Sequence, residues 1–545
     1  MVALHDIKQP KPLLDIKQLN IEGFDGEQWS PIVKNMDMKL MRGEVLGLIG
    51  ESGAGKSTLG LAAMGYTQTG CRIASGTIHF DGLSLTDASE QSVIELRGSR
   101  IAYVAQSAAA SFNPAHKLID QFAEGPVQHG LMSYNEAVAK AIDLYRRLDL
   151  PNPEEIGFRY PHQVSGGQLQ RAMVAMAMAT DPDIIIFDEP TTALDVTTQI
   201  EVLVAIKDVI KELNTGAIYI THDLAVVAQL ADRIMVLRHG KLVEGGCARQ
   251  MLDNPQKDYT RRLLAVRSLG EEKIRNEKDP NVILDISGVS AGYKKGINIV
   301  QDINLKVRRR KTVAVVGESG SGKTTVARIV TGLLPSNSGN ISFSGETLSP
   351  DLPSRDRECL RRMQMIYQMP DVALNPRQKI KTIIGRPLSF YFGMKGKEVT
   401  ARVEELLSMV ELPTSYMSRF PAELSGGEKQ RICIARALAA NPDLIICDEV
   451  TSALDQLVAE GILNLLQRLQ NELGISYLFI THDLATVKAI ADEIVVMYKG
   501  RIVEQGIKSD ILKPPHHDYT QLLLSSVPEM DPDWLDNLLV ERAAA

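Results

Sequence analysis

The chain has 545 residues, 44% of them hydrophobic and 23% charged, an ordinary globular balance in a chain too long for one core. Its net charge of −7 gives no electrostatic reason to expect nucleic acid as the main partner. The five cysteines (Cys71, Cys247, Cys359, Cys433, Cys447) form no CxxC pair, which argues against a disulfide framework, a zinc ribbon or an iron–sulfur cluster and suits a reducing cytosol. The opening MVALHDIKQPKPLLDIKQLN lacks the apolar stretch of a signal peptide. No run of about 18 apolar residues is present, so any membrane involved is expected to be spanned by other chains.

In chain order, LLDIKQLN at 13–20 reads as a strand, and VLGLI at 45–49 as a buried one. Gly50-x4-Gly55-Lys56-Ser57 follows that strand and precedes the helical run TLGLAAM, the context a phosphate-binding loop requires. Gly50, Ser52, Gly53, Gly55 and Thr58 are read with Lys56 and Ser57 as the cradle. Backbone N–H groups converge on phosphate there, aided by the positive end of the helix. Lys56 is expected to reach the β- and γ-phosphates and the Ser57 hydroxyl to ligate Mg²⁺. The strand RIAYVAQ then ends at Gln106, and Ser165-Gly166-Gly167-Gln168 precedes the helical run QLQRAMVAMAMA. The strand DIIIFDE closes on Asp188 and Glu189, residue types suited to hold Mg²⁺ and to polarise an attacking water. A lone Asp-Glu after a strand more often just caps a turn; here it follows a phosphate loop. QIEVLVAIKDVIKEL is predicted helical, AIYIT a strand ending before His222, and DYTRRLL closes the half.

The whole order then repeats. GESGAGKST at 50–58 returns as GESGSGKTT at 317–325, giving Gly317, Ser319, Gly320, Gly322, Lys323, Thr324 and Thr325. Ser165 returns as Ser425 with Gly426, Gly427 and Glu428. Asp188 and Glu189 return as Asp448 and Glu449, His222 as His482, and DYTRRLL as DYTQLLL. Such a step marks duplication of a whole domain, since solenoid repeats run about 20–50 residues. A lone glycine-rich turn with a chance lysine, or a lone histidine after a strand, is a weak signal; its recurrence in identical context is not. Copy one is assigned to 1–266 and copy two to 282–545, with the charged, proline-ended stretch 267–281 as a solvated linker. Strands alternating with helices predict an α/β fold with a largely parallel sheet flanked by helices. The basic run Lys306–Lys311 precedes the strand TVAVVG and is read as a solvated turn.

SGGQ and SGGE upstream of the Asp-Glu strands, ALD at 193–195 and 453–455, and the two histidines together make both halves resemble the ABC ATPase family. The resemblance implies two tandem P-loop NTPase domains, each with a mostly parallel core sheet, an antiparallel β subdomain and a helical subdomain (about 110–164 and 372–424). It implies ATP and Mg²⁺ as ligands, Glu189 and Glu449 as general bases, and His222 and His482 at the γ-phosphate. It places Mg²⁺ on Ser57, Gln106 and Asp188 in one copy and on Thr324, Gln368 and Asp448 in the other. It further implies that each ATP is clamped between the P-loop of one copy and the serine–glycine–glycine turn of the other. Tyr293 matches the family's adenine-stacking aromatic, while copy one offers only Phe24 or Trp29.

QSAAASFNPAH, QMPDVALNPR, NPQKDYTRRLL and PPHHDYTQLLLSSVP are similar to ATPases of the oligopeptide/dipeptide/nickel import group. That implies two transmembrane permease subunits, an extracytoplasmic solute-binding protein, and a peripheral place on the cytoplasmic side of the inner or plasma membrane. Cargo of the peptide, opine or nickel type is expected. A soluble tandem ATPase working on ribosomes or nucleic acid is the alternative; the short linker and missing cysteine pairs count against it.

Overall fold

In a computed structural model of the protein, residues 11–191, 194–265, 281–294, 296–452 and 454–544 are described. The linker read at 267–281 lies outside them except for Asn281, as do Ala193 and Ala453 of the two ALD triplets. The chain divides into two compact units, Met1–Ala265 together with Pro528–Ala545, and Val266–Val527.

In the first unit, the six-stranded sheet runs Lys241–Cys247, Arg233–Arg238, Val45–Ile49, Gly216–Ile220, Ile184–Asp188, Ile101–Val104. Five of these strands are parallel and Lys241–Cys247 is an antiparallel edge. The strands VLGLI, IIIFD and GAIYI are buried along their whole length, which is why they read as unbroken apolar runs rather than alternating ones. The order sets the carboxyl ends of Val45–Ile49, Gly216–Ile220, Ile184–Asp188 and Ile101–Val104 side by side, the edge where open α/β sheets bind ligands.

A four-stranded antiparallel sheet, ordered Trp29–Leu40, Leu14–Phe24, Cys71–Phe80, Leu83–Ser84, packs Leu14, Ile16, Leu19 and Ile78 into one core with Leu46, Leu48 and Leu59. Between Ile101–Val104 and Ile184–Asp188 come the helices Leu118–Gln128 and Tyr134–Arg147, joined by the Phe122–Tyr145 edge contact. The second of these starts in a capping box, with Ser133 and Glu136 satisfying each other's backbone N–H groups.

The second unit repeats the plan. Its six strands run Met363–Ile366, Leu444–Asp448, Ser476–Ile480, Thr312–Val316, Glu493–Tyr498, Arg501–Ile507. Its antiparallel sheet runs Val300–Arg308, Val282–Ala291, Ser338–Phe343, Glu346–Thr347, and its helices Ile380–Phe392 and Gly396–Met409 match the pair in the first unit. The parallel core, the flanking helices and the antiparallel sheet are those expected of the α/β reading. The run Lys306–Lys311 is paired within its own unit: Lys306 with Asp285, Arg308 with Glu493, Arg309 with Asp443, Lys311 with Asp492.

Residues from Pro528 onward follow copy two in sequence but pack within the first unit. Leu535 and Leu538 of the helix Trp534–Ala544 are buried. The buried Gln229 side chain donates to the carbonyls of Glu529 (2.7 Å) and Asp531 (3.0 Å) and accepts from the Leu535 N–H (3.0 Å). Arg249 grips both carboxylate oxygens of Asp533 at 2.9 Å, and Lys207 meets Asp536 at 2.7 Å. Among the described residues no helix is long and apolar enough to cross a membrane.

Candidate nucleotide sites

Each phosphate loop joins a buried strand to a short helix, Lys56–Ala63 in copy one and Lys323–Val330 in copy two. Gly50 has φ +148° and Gly317 φ +152°; a Cβ there would lie 2.1 Å from the Leu237 carbonyl oxygen or 2.2 Å from that of Met497. Only glycine lets the loop turn that close to the neighbouring strand. Ser52, Gly53, Ser319 and Gly320 form the exposed crest, while Thr58 and Thr325 lie in the first turn of the helix.

Lys56 is 6% exposed, and its ammonium folds back onto the carbonyls of Gly50 (2.7 Å) and Glu51 (2.9 Å). Lys323 does the same with Gly317 and Glu318, both at 2.7 Å. Each lysine thus spans the mouth of its loop, where phosphate oxygens can replace the carbonyls. Across the sheet, Ser57 Oγ donates to Asp188 Oδ1 at 3.0 Å, and Thr324 Oγ1 to Asp448 Oδ1 at 3.1 Å. A hydroxyl and a carboxylate at the loop are hard oxygen donors of the kind Mg²⁺ takes beside phosphates, so the residues present fit that ion.

Burial pushes the Asp188 carboxyl above its usual range despite hydrogen bonds from Tyr103 and Ser57. It raises Asp448 to about 6, against a weaker lowering by Thr324. Carboxylates so placed gain by meeting a cation. Tyr103 was not foreseen: its hydroxyl donates to Asp188 Oδ2 at 2.6 Å. Burial and then Asp188 itself raise the phenol's pKa, so it stays a donor.

The adjacent glutamates anchor a second cluster. In copy one Glu189 accepts from Gln106 Nε2 at 2.9 Å and faces His222 Nδ1 at 3.1 Å. In copy two Glu449 accepts from Gln368 Nε2 at 2.6 Å and faces His482 Nδ1 at 3.3 Å. Both glutamates have φ +49°, unusual for a residue with a Cβ, and are held there by N–H bonds to Ile220 and Ile480 carbonyls. Such outliers gather at functional sites and cost about 1–3 kcal/mol each. Burial opposes charge on each histidine, but the neighbouring glutamate outweighs it, so both histidine pKa values rise. Burial is also the largest influence on Glu449, yet His482 outweighs it and draws its pKa down.

Ser165 and Ser425 cap the helices Gly166–Ala177 and Gly426–Leu438, each in a capping box with Gln168 or Glu428. These turns expose helix N-termini suited to an anion. At Gly167 and Gly427 a Cβ would sit 2.4 Å from the Thr198 or Val458 side chain, which would have to shift to admit it. Glu428 additionally accepts from Tyr416 at 2.5 Å. Asp195 and Asp455 of the ALD triplets cap the next long helices by accepting from Thr198 and Val458 N–H groups, at 3.0 Å each.

Tyr293 is half exposed and accepts from Arg328 at 2.9 Å. In copy one, counting from the left-handed residue shared by both strands (Gln18 and Gly288), Gly23 takes its place. The exposed aromatics there are Phe24 and Trp29, paired across the strands at 5.3 Å with Arg72 over Trp29. Tyr519 of the DYT repeat was also missed as a site residue; its hydroxyl accepts the P-loop N–H of Glu318 at 2.9 Å. In the sequence DYT marked the repeat and the importer-like ends of the two halves, without pointing to a contact with the phosphate loop.

A family model described as ABC transporter matches residues 33–192 and 300–452. A second, described as oligopeptide/dipeptide transporter, C-terminal region, matches 503–543. The chain is 38% identical, over 95% of its length and 90% of theirs, to the glutathione import ATP-binding proteins GsiA of Escherichia coli O157:H7 and Shigella boydii serotype 4. A solved structure described as a dimeric post-hydrolysis ATP-binding cassette bound to ADP and Pi is similar over 43% of this chain and 98% of its own, at 25% identity and a TM-score of 0.39.

Proposed function

Because this chain belongs to the ABC transporter family, we propose that it is the ATP-binding and ATP-hydrolysing subunit of an importer, driving uptake of a short peptide or similar small solute. The observation that carries the reading is the doubled cluster of P-loop lysine, buried aspartate, glutamate and histidine, joined to a C-terminal match with oligopeptide/dipeptide transporters. That match, and relatives named for glutathione import, favour a transport role over work on ribosomes or nucleic acid.

The two sites are composite. One joins Lys56, Asp188 and Glu189 to Ser425, Gly426, Gly427 and Glu428; the other joins Lys323, Asp448 and Glu449 to Ser165, Gly166, Gly167 and Gln168. The P-loop N–H groups and lysine bind the phosphates, and Tyr293 stacks on adenine in copy two. Ser57, Asp188 and Gln106, and in the other copy Thr324, Asp448 and Gln368, would hold Mg²⁺. That ion supplies charge neutralisation at the β- and γ-phosphate oxygens. Glu189 and Glu449 accept the proton of the attacking water as its oxygen bonds to the γ-phosphorus and the bond to ADP breaks. His222 and His482, held by these glutamates, orient the γ-phosphate and the water.

ATP bridging the copies is the drive. Shifting them from 1:99 to 99:1 closed takes about 5.5 kcal/mol of differential affinity, within reach of two bridging nucleotides. Loss of phosphate removes the bridge. Closure pulls on two permease subunits through the helical segments about 110–164 and 372–424, with an extracytoplasmic binding protein selecting the cargo. The chain works peripherally on the cytoplasmic face of the inner or plasma membrane.

Co-purification with a candidate permease pair, followed by ATPase assay in proteoliposomes, tests this. Solute-stimulated hydrolysis is expected. Stable association with ribosomes instead of permeases would overturn it.

A further inference from the structure

The two buried aspartates differ at one oxygen. Oδ1 meets the P-loop hydroxyl in both copies, at 3.0 Å in copy one and 3.1 Å in copy two. Oδ2 of Asp188 also accepts the Tyr103 hydroxyl at 2.6 Å. Tyr103 comes from Ile101–Val104, whose register sets it beside Ile186, two residues before Asp188. Copy two keeps that register: Met363–Ile366 pairs with Leu444–Cys447 so that Met365 lies beside Ile446. The residue in Tyr103's place is therefore a thioether, which has no proton to donate.

We propose that Tyr103 is a positioning residue that fixes the Asp188 carboxylate for metal–nucleotide binding, so that copy one holds its metal–nucleotide complex more tightly than copy two. The proposal rests on the reading that Asp188 faces Mg²⁺. A carboxylate held at both oxygens loses its torsional freedom before the ligand arrives. One held at a single oxygen gives up that freedom on binding. Partners that orient a ligating carboxylate are typically worth about 10–100-fold in metal affinity. Tyr103 touches neither phosphate nor water in this scheme and acts only through Asp188.

The test uses the full chain with hydrolysis blocked by Glu189→Gln and Glu449→Gln, and with Lys323→Ala to silence copy two. Binding of N-methylanthraniloyl-ATP is followed by fluorescence while Mg²⁺ is titrated, and again in EDTA. Tyr103→Phe is expected to raise the half-saturating Mg²⁺ about tenfold while leaving affinity in EDTA unchanged. In the reciprocal background with Lys56→Ala, Met365→Tyr is expected to lower it. An unchanged Mg²⁺ requirement in Tyr103→Phe overturns the proposal, as does an equal loss in EDTA, which would mean Tyr103 merely supports the fold. If the unsubstituted background binds nucleotide without any Mg²⁺ dependence, the metal-facing role of Asp188 fails first, and this inference with it.

Discussion

The two copies agree wherever a group can touch phosphate or water and differ in what stands behind those groups. Apart from the Tyr103 bond to Asp188, lysine, hydroxyl, aspartate, glutamate, glutamine and histidine make the same contacts in both, within a few tenths of an ångström. The support behind them is not shared. The helix Leu224–Leu230, directly after His222, is braced through Gln229 by residues that follow copy two in sequence. Its counterpart Leu484–Ile490 has Ala489 in that place, whose carbonyl accepts from Gln467 of the same copy at 2.7 Å. Duplication preserved the chemistry and let its scaffolding drift.

The largest effect should come where the copies agree. Glu189→Gln and Glu449→Gln should each lower hydrolysis at their own site by about 10²–10⁴-fold, the usual worth of a positioned general base. Steady-state turnover and nucleotide trapping measure this. Equal losses from the two single variants keep the copies equivalent in chemistry; native turnover in the double variant would remove both glutamates from the mechanism.

Next comes the brace. Leu535→Ala should cost about 2–5 kcal/mol, the range for emptying a buried leucine site. The loss should fall on copy one, because Leu535 is buried there. Hydrogen exchange is expected to quicken across 224–230 and stay unchanged across 484–490. Equal quickening in both copies would break the contrast.

A smaller effect separates the DYT tyrosines. Tyr519→Phe leaves the Glu318 N–H without its acceptor, at about 1–3 kcal/mol. Nucleotide affinity at copy two should weaken. Tyr259→Phe should matter less at copy one, where the buried hydroxyl lies beside Glu51 without the 2.9 Å N–H bond that Tyr519 makes, and the ring lies 4.6 Å beneath the Arg238 guanidinium. Binding measured with Lys56→Ala or Lys323→Ala silencing the opposite copy tells the two apart.

These differences also mark what could be read from the sequence. Lys56, Asp188 and Glu189 were legible because each closes a local pattern, a strand followed by a loop, and each pattern recurs. The parallel core was legible because strands buried on both faces carry unbroken apolar runs. Tyr103 was not, since its partner lies 85 residues away and only the strand register brings them together. Gln229 was hidden for the same reason: its partners are 300 residues and more downstream, and a short end helix carries no address. The aromatic at Tyr293 was visible, but the glycine standing in its place in copy one emerges only when the strands are aligned by their shared left-handed residue.

The smallest expected effect is the sharpest check on how the brace is built. Arg249 and Asp533 make two 2.9 Å bonds, geometry that suggests a strong clamp, yet both side chains are more than half exposed. Water competes for each charge, so Arg249→Ala should cost far less than Leu535→Ala. Asp533 raises the guanidinium's pKa further, so Arg249 keeps its charge and added salt should weaken the contact. Unfolding of copy one at low and high salt measures the difference. If Arg249→Ala instead matched Leu535→Ala in cost, burial would not be what holds the end of the chain to the first unit, and the brace would be an electrostatic latch.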